Sequence, residues 1–131
     1  MIVLDASAMV ELLLQTPRAV GLAQRLGQPH ESAHAPHLID LEVASALRSL
    51  EARGVVTSAA ATRAIADLLA AAIVRYPHDV LLARTWQLRG NLSTYDAAYV
   101  ALAEHLGATL VTCDARLAAS PGLRVAIELF A

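Results

Sequence analysis

The 131-residue chain contains no lysine; all ten of its basic residues are arginine. Chemistries that require lysine, among them P-loop nucleotide hydrolysis and Schiff-base catalysis, are therefore excluded. A single cysteine, Cys113, permits no internal disulfide, as expected for a protein of the reducing cytoplasm. Aromatic residues make up only 4% of the chain, so the core must be built mainly from aliphatic side chains. No apolar stretch reaches the ~20 residues that a membrane-spanning helix needs. Arg63 and Asp67, for example, interrupt the stretch that ends in Leu68–Val74. The N-terminus has no basic segment and carries Asp5, which argues against a secretory signal.

What the chain does have is apolar mass. It is 56% hydrophobic, with a mean hydropathy of +0.50. That excludes disorder, which requires low hydrophobicity and high net charge. The length suits one domain, residues 1–131, which would bury roughly two-thirds of the surface its unfolded chain exposes. Apolar side chains are then left over for another chain to cover, and a homodimer, a tightly bound partner or both are expected.

Apolar runs alternate with helical patterns. Met1–Leu4 is a buried strand that ends at Asp5, and Ser7 is placed to cap a helix through Leu14. Thr16-Pro17 starts a second helix, and Gly27-Gln28-Pro29 breaks the chain before a weak strand over 31–35. Pro36 opens a helix that runs to about Arg53, and Thr57 or Ser58 opens an alanine-rich one. A strand over 72–76, a helix over 78–88 and a helix capped by Ser93 or Thr94 follow. The last of these runs to Leu106. Thr109–Cys113 is the clearest strand after the first. A helical turn near Asp114 and a final strand over 124–127 complete the chain. This alternation predicts an α/β fold with a parallel sheet covered on both faces.

Ligands of open parallel sheets bind at the carboxyl ends of the strands. Asp5 and Asp114 each close a strand, and Asp96 lies in the first turn of its helix. Gathered carboxylates repel one another, and a hard divalent cation such as magnesium or manganese resolves the conflict. Each acid also has a purely structural reading. Asp5 and Asp114 could cap helices, and Asp96 fits the capping box Ser93-x-x-Asp96. Asp40 and Glu42 both flank the apolar stripe of the 37–53 helix, and periodicity does not choose between them. His30, His34 and His37 cluster in sequence. They lack a cysteine partner and an HExxH spacing, so loop and cap positions explain them better than zinc.

Three segments carry a resemblance. Met1-Ile2-Val3-Leu4-Asp5-Ala6-Ser7-Ala8, the stretch Asn91-Leu92-Ser93-Thr94-Tyr95-Asp96-Ala97-Ala98-Tyr99, and Leu110-Val111-Thr112-Cys113-Asp114-Ala115-Arg116-Leu117 resemble PIN-domain ribonucleases. More narrowly they resemble the VapC toxins of bacterial toxin–antitoxin pairs. The resemblance implies a three-layer α/β/α sandwich with a central, mostly parallel sheet. It maps the family's four acidic positions to Asp5, Glu42, Asp96 and Asp114. Asp5, Asp96 and Asp114 would be the primary ligands of Mg2+, with Mn2+ as a substitute, and Glu42 would act through water. Ser7, Thr112 and Arg116 would support the site. Arg116 stands where some members carry a further acid, which argues against a fully ligated second ion. Cys113 stands where a small residue is commoner, and packing explains it.

The resemblance further implies metal-dependent hydrolysis of phosphodiester bonds in RNA, leaving 5′-phosphate and 3′-hydroxyl ends. Apart from the four site acids, eight acidic residues face ten arginines, which suits a phosphate-rich partner. Arg18, Arg89 and Arg116 are the candidate phosphate contacts. The low total charge favours a folded RNA, such as a transfer RNA or a ribosomal loop. A cognate VapB-type antitoxin and a homodimer are also implied, with the alanine-rich helix at 58–71 as one candidate surface. Two other readings compete. A haloacid-dehalogenase-type phosphohydrolase needs a second Asp two residues after the first and a lysine, and here Ser7 and the lack of lysine oppose it. A PIN-like module that binds RNA or protein without cutting would follow if the acids held no metal.

Overall fold

A computed structural model describes residues 1–131. The order is β1 (Ile2–Leu4), α1 (Ala6–Leu13), α2 (Ala19–Leu26), β2 (Ala33–Pro36), α3 (Ile39–Ala52), α4 (Ser58–Ala70) and β3 (Ile73–Tyr76). A 3-10 turn (Asp79–Leu81), α5 (Leu82–Gln87), α6 (Thr94–Leu106), β4 (Thr109–Thr112), α7 (Ala115–Ala118) and β5 (Ile127–Leu129) follow. All five strands are parallel, in the order β3-β2-β1-β4-β5. The chain moves outward from β1 to β3, then returns to the other side of β1. That places a topological switch point between β1 and β4.

Right-handed crossovers force the helices of the two directions onto opposite faces. α1 packs against α2, α3 and α4, while α6 crosses β1, β2 and β4 and carries α5 outside it. The result is a three-layer sandwich. Covered on both sides, β1 is wholly buried, as are Leu110, Val111 and Thr112 of β4, which is why these strands read as continuous apolar runs. α6 is buried from Ala97 through Ala103. Four alanines in that run let the helix sit close to the sheet, and a helix apolar all round belongs in a core. No helix is long and apolar enough to cross a membrane.

Several local expectations are corrected. Asp5, not Ser7, is the N-cap of α1, because its extended backbone lets its carboxylate accept the N–H of Ala8. α2 starts at Ala19 without a side-chain cap, since the Thr16 hydroxyl is turned toward Glu11. Pro36 does not open a helix; it is the last residue of β2, and α3 begins at Ile39. Proline is tolerated there because β1 pairs with β2 only as far as His34, so the missing N–H falls past the end of that ladder. The helix expected over 78–88 divides into the 3-10 turn and α5. The last strand lies at 127–129, three residues later than its apolar pattern suggested.

Candidate active site at the switch point

Asp5 leaves β1 and turns at once into α1, so its side chain stands at the carboxyl edge of the sheet, 5% exposed. Three donors hold it. Oδ1 accepts from the N–H of Ala8 at 3.0 Å and from the Ser7 hydroxyl at 2.6 Å, and Oδ2 accepts from the Thr112 hydroxyl at 2.5 Å. The same two hydroxyls accept from the β4 terminus: Ser7 Oγ from the N–H of Cys113 and Thr112 Oγ1 from that of Asp114, each at 2.9 Å. Ser7 and Thr112 therefore stitch the ends of β1 and β4 together around one carboxylate. Burial nevertheless pushes the Asp5 pKa above its ordinary value, and the charge of Asp96 adds to the rise.

Glu42, in the first turn of α3, accepts a 2.6 Å hydrogen bond from the hydroxyl of Tyr99, a fully buried residue of α6. Burial raises the Glu42 pKa; the Tyr99 bond opposes this, and the charges of Asp96 and Asp5 reinforce it. Tyr99 is held protonated by burial and by Glu42 beside it. Asp96 is only partly buried. The Ser93 hydroxyl caps α6 by accepting the Asp96 N–H at 3.2 Å, whereas the Asp96 carboxylate has no hydrogen bond within the protein. Asp5, Glu42 and Asp96, from three separate elements, thus share one electrostatic neighbourhood.

Asp114 sits across the cleft. It caps α7 by accepting the Arg116 N–H at 2.9 Å and pairs with the Arg116 guanidinium at 3.3 Å. Burial pushes its pKa up, but these bonds prevail and hold the carboxyl below its ordinary range. Asp114, Glu42 and Ser7 line an open cleft of about 640 Å³ between α1 and α3, together with Arg18 and Arg53. The link from Asp114 to Asp5 runs through Thr112. No three of the acids close around a single point.

Asp40 belongs elsewhere, in a bidentate ion pair with Arg75 on β3 at 2.9–3.0 Å. That pair turns Asp40 toward β3, while Glu42 faces the cleft. Arg89 also lies away from the cleft, since it stacks over Trp86 at 4.4 Å and bonds its carbonyl. Arg18 lines the cleft while paired with Glu11, and Arg116 stands beside Asp114. Sequence reading missed two participants, Tyr99 and Arg53. Tyr99 lies three residues after Asp96, a helical spacing that carries a signal in retrospect; Arg53 carries none. Buried His34 bridges the Ser32 and Tyr76 hydroxyls, and His78 accepts the Leu38 N–H. Cys113 is a half-buried thiol whose pKa burial pushes up to about 11.

Burial of these acids, reinforced by their mutual repulsion, has a consequence for stability. A carboxyl whose pKa is raised on folding stabilises the fold below its unfolded value and loses that contribution as pH rises through the folded value. Glu42→Gln keeps the acceptor for Tyr99 and removes the charge. The variant should melt roughly 2–4 °C above the wild type at pH 7, with the gap closing near pH 4. Thermal scans at both pH values check this.

The profile of the PIN domain matches residues 2–123. The chain belongs to the PIN-domain family. It is 44% identical to ribonuclease VapC12 of Mycobacterium tuberculosis over 131 residues, all of both chains. It is 47% identical over 119 residues to the VapC ribonuclease Mb0985 of Mycobacterium bovis, covering 89% of this chain and 88% of that one. VapBC2 of Rickettsia felis, solved bound to a DNA fragment from its promoter, shares the PIN fold. Its TM-score is 0.66 over the whole of both chains, at 14% identity.

Proposed function

We propose that this PIN domain, spanning residues 1–131, is a metal-dependent endoribonuclease and the toxin of a toxin–antitoxin pair. It hydrolyses phosphodiester bonds in a structured RNA, such as a transfer RNA or a ribosomal loop. The observation that carries the reading is the shared field of Asp5, Glu42 and Asp96 at the switch point, with Asp114 facing the same cleft. Their chemistry fits Mg2+ or Mn2+. Every donor is a hard oxygen, and Asp5 and Glu42 are held where ionisation is opposed, so an added positive charge relieves the strain. The arrangement is open, and side-chain rotation would have to bring the ligands together.

Asp5, Asp96 and Asp114 would hold the ion. When bound, it lowers the pKa of water and offsets charge on the phosphate oxygens. Ser7 and Thr112 fix the Asp5 carboxylate through their hydroxyls. Glu42, with its raised pKa and its Tyr99 bond, is suited to accept a proton from the attacking water and aim it at phosphorus. Arg18 and Arg53, along the cleft, and Arg116, at its edge, would contact phosphates. Because Arg116 pairs with Asp114, one ion suits the site better than two.

The cognate antitoxin would lay an apolar segment in a groove of about 500 Å³ lined by Met9, Leu12, Leu13, Leu26 and Ile73. α4, the surface suggested by sequence, buries Ala61, Ala64 and Leu68 in the core and offers only its outer face. The homodimer and action in the cytoplasm stand as parts of the same proposal, and light scattering on the purified chain would report a dimeric mass. Brief expression followed by end-mapping of total RNA tests the activity. New 5′-phosphate ends should accumulate at a few structured sites and be absent with Asp5→Asn. The competing reading, a module that binds without cutting, draws on the open arrangement of the acids and predicts RNA or partner binding with no new ends.

A further inference from the structure

The two carboxylate oxygens of Asp114 are not equivalent. Oδ1 is committed to capping α7, where it accepts the N–H groups of Arg116 at 2.9 Å and of Leu117 at 3.5 Å. Oδ2 is left as the oxygen with which Asp114 can hold an ion, and its one partner is the Arg116 guanidinium at 3.3 Å. A cation belonging to the chain itself therefore stands on the oxygen that a metal ion needs.

That guanidinium is loosely held. Arg25, Arg75 and Arg84 are no more than 28% exposed, and each is gripped by at least two hydrogen bonds to carboxylates. Arg116 is 88% exposed, and the contact with Oδ2 is the only hydrogen bond of its side chain, although a guanidinium has donors to spare. Exposed ion pairs contribute little, so little is lost when the side chain turns away. A phosphate offers it paired oxygens, which suit the planar fork of a guanidinium better than a single carboxylate oxygen does. The backbone keeps both choices near. The Arg116 N–H is tied to Oδ1, and the two residues before it, Asp114 and Ala115, line the cleft with Arg18 and Arg53.

We propose that Arg116 competes with the metal ion for Asp114 in the free protein and transfers to a phosphate of the RNA when substrate docks. Ion and RNA then bind more tightly together than either does alone, and the protein without RNA holds its ion weakly. The inference rests on the metal-dependent ribonuclease reading and makes Arg116 a positioning residue that acts through Asp114. Mn2+ is titrated into RNA-free protein and its bound fraction read by electron paramagnetic resonance. Arg116→Ala should bind Mn2+ about threefold more tightly than the wild type, the size of an exposed ion pair. Arg53→Ala removes the same charge from the cleft without unpairing a carboxylate, and should leave that affinity unchanged. In protein labelled with 15N at arginine, Mg2+ should move the Arg116 Nε resonance, and so should a short RNA added in the presence of chelator. Under chelation, Arg116→Ala should bind that RNA more weakly, with a salt dependence reduced by about one phosphate contact. An Arg116 resonance that stays fixed while Mg2+ saturates the protein overturns the proposal. So does an Mn2+ affinity of Arg116→Ala equal to that of the wild type or matched by Arg53→Ala, and so does RNA that binds Arg116→Ala as it binds the wild type. Mn2+ that binds none of these proteins would remove the metal-dependent reading and this proposal with it. The predicted affinities in a protein that cuts no RNA would instead keep the exchange and remove only the ribonuclease reading.

Discussion

Asp5→Asn should lower RNA cleavage by at least about 10³-fold, equivalent to ~4 kcal/mol of transition-state stabilisation, while the protein stays folded. The substitution changes charge and little else. Asparagine caps helices about as well as aspartate, so α1 keeps its start. Its carbonyl oxygen still accepts from Ala8 and Ser7, and the Thr112 hydroxyl can rotate to accept from the new amide. What disappears is the most buried negative charge of the site, together with its interaction with Asp96 and Glu42. Melting should occur at or above the wild-type temperature, since a buried carboxylate under repulsion is gone. Asp96→Asn should behave alike, because its carboxylate has no hydrogen bond within the protein to lose. A gel assay on a structured RNA, with a thermal scan of each variant, provides the check. Cleavage near wild-type rates in both would remove these residues from the chemistry.

Removing divalent cations should have an effect as large. Chelation is expected to stop cleavage, and Mg2+ or Mn2+ to restore it. The same ion should also stabilise the fold, because its proposed ligands Asp5, Asp96 and Asp114 come together only in the folded chain. At one hundred times its dissociation constant, a ligand specific to the folded state contributes about 2.7 kcal/mol, or roughly 5–10 °C for a chain of this size. The melting shift should vanish in Asp5→Asn. Differential scanning fluorimetry with Mg2+, Mn2+ and chelator measures both proteins side by side. Stability indifferent to these ions, with activity that survives chelation, would contradict the account.

How much of this was legible in the sequence varied with the range of the forces involved. β1, β4 and α6 were readable because burial on both faces writes an unbroken apolar run, and because Ser93 and Gly107 bound α6 by local hydrogen bonding. Asp5, Asp96 and Asp114 were legible because each follows a strand or opens a helix, a position the fold sends to the switch point. The different surroundings of Asp40 and Glu42 lay beyond local pattern, since Asp40 pairs with an arginine 35 residues away on β3. Tyr99 and Arg53 were hidden for the same reason: their roles arise from what other elements bring beside them. Asp5 and Ser7 both read as caps of α1, and only backbone geometry gives the position to Asp5. Arg75 and Thr112 show that partners distant in the chain set the surroundings of residues whose local reading is plain.

The most direct measurement is diffraction from crystals soaked in manganese, collected where the metal scatters anomalously. A single strong peak bonded to carboxylate oxygens of Asp5, Asp96 and Asp114, with Glu42 turned toward it and no peak in Asp5→Asn crystals, is the predicted result. Manganese bound away from these acids, or absent from crystals of a protein that still cuts RNA, would contradict it.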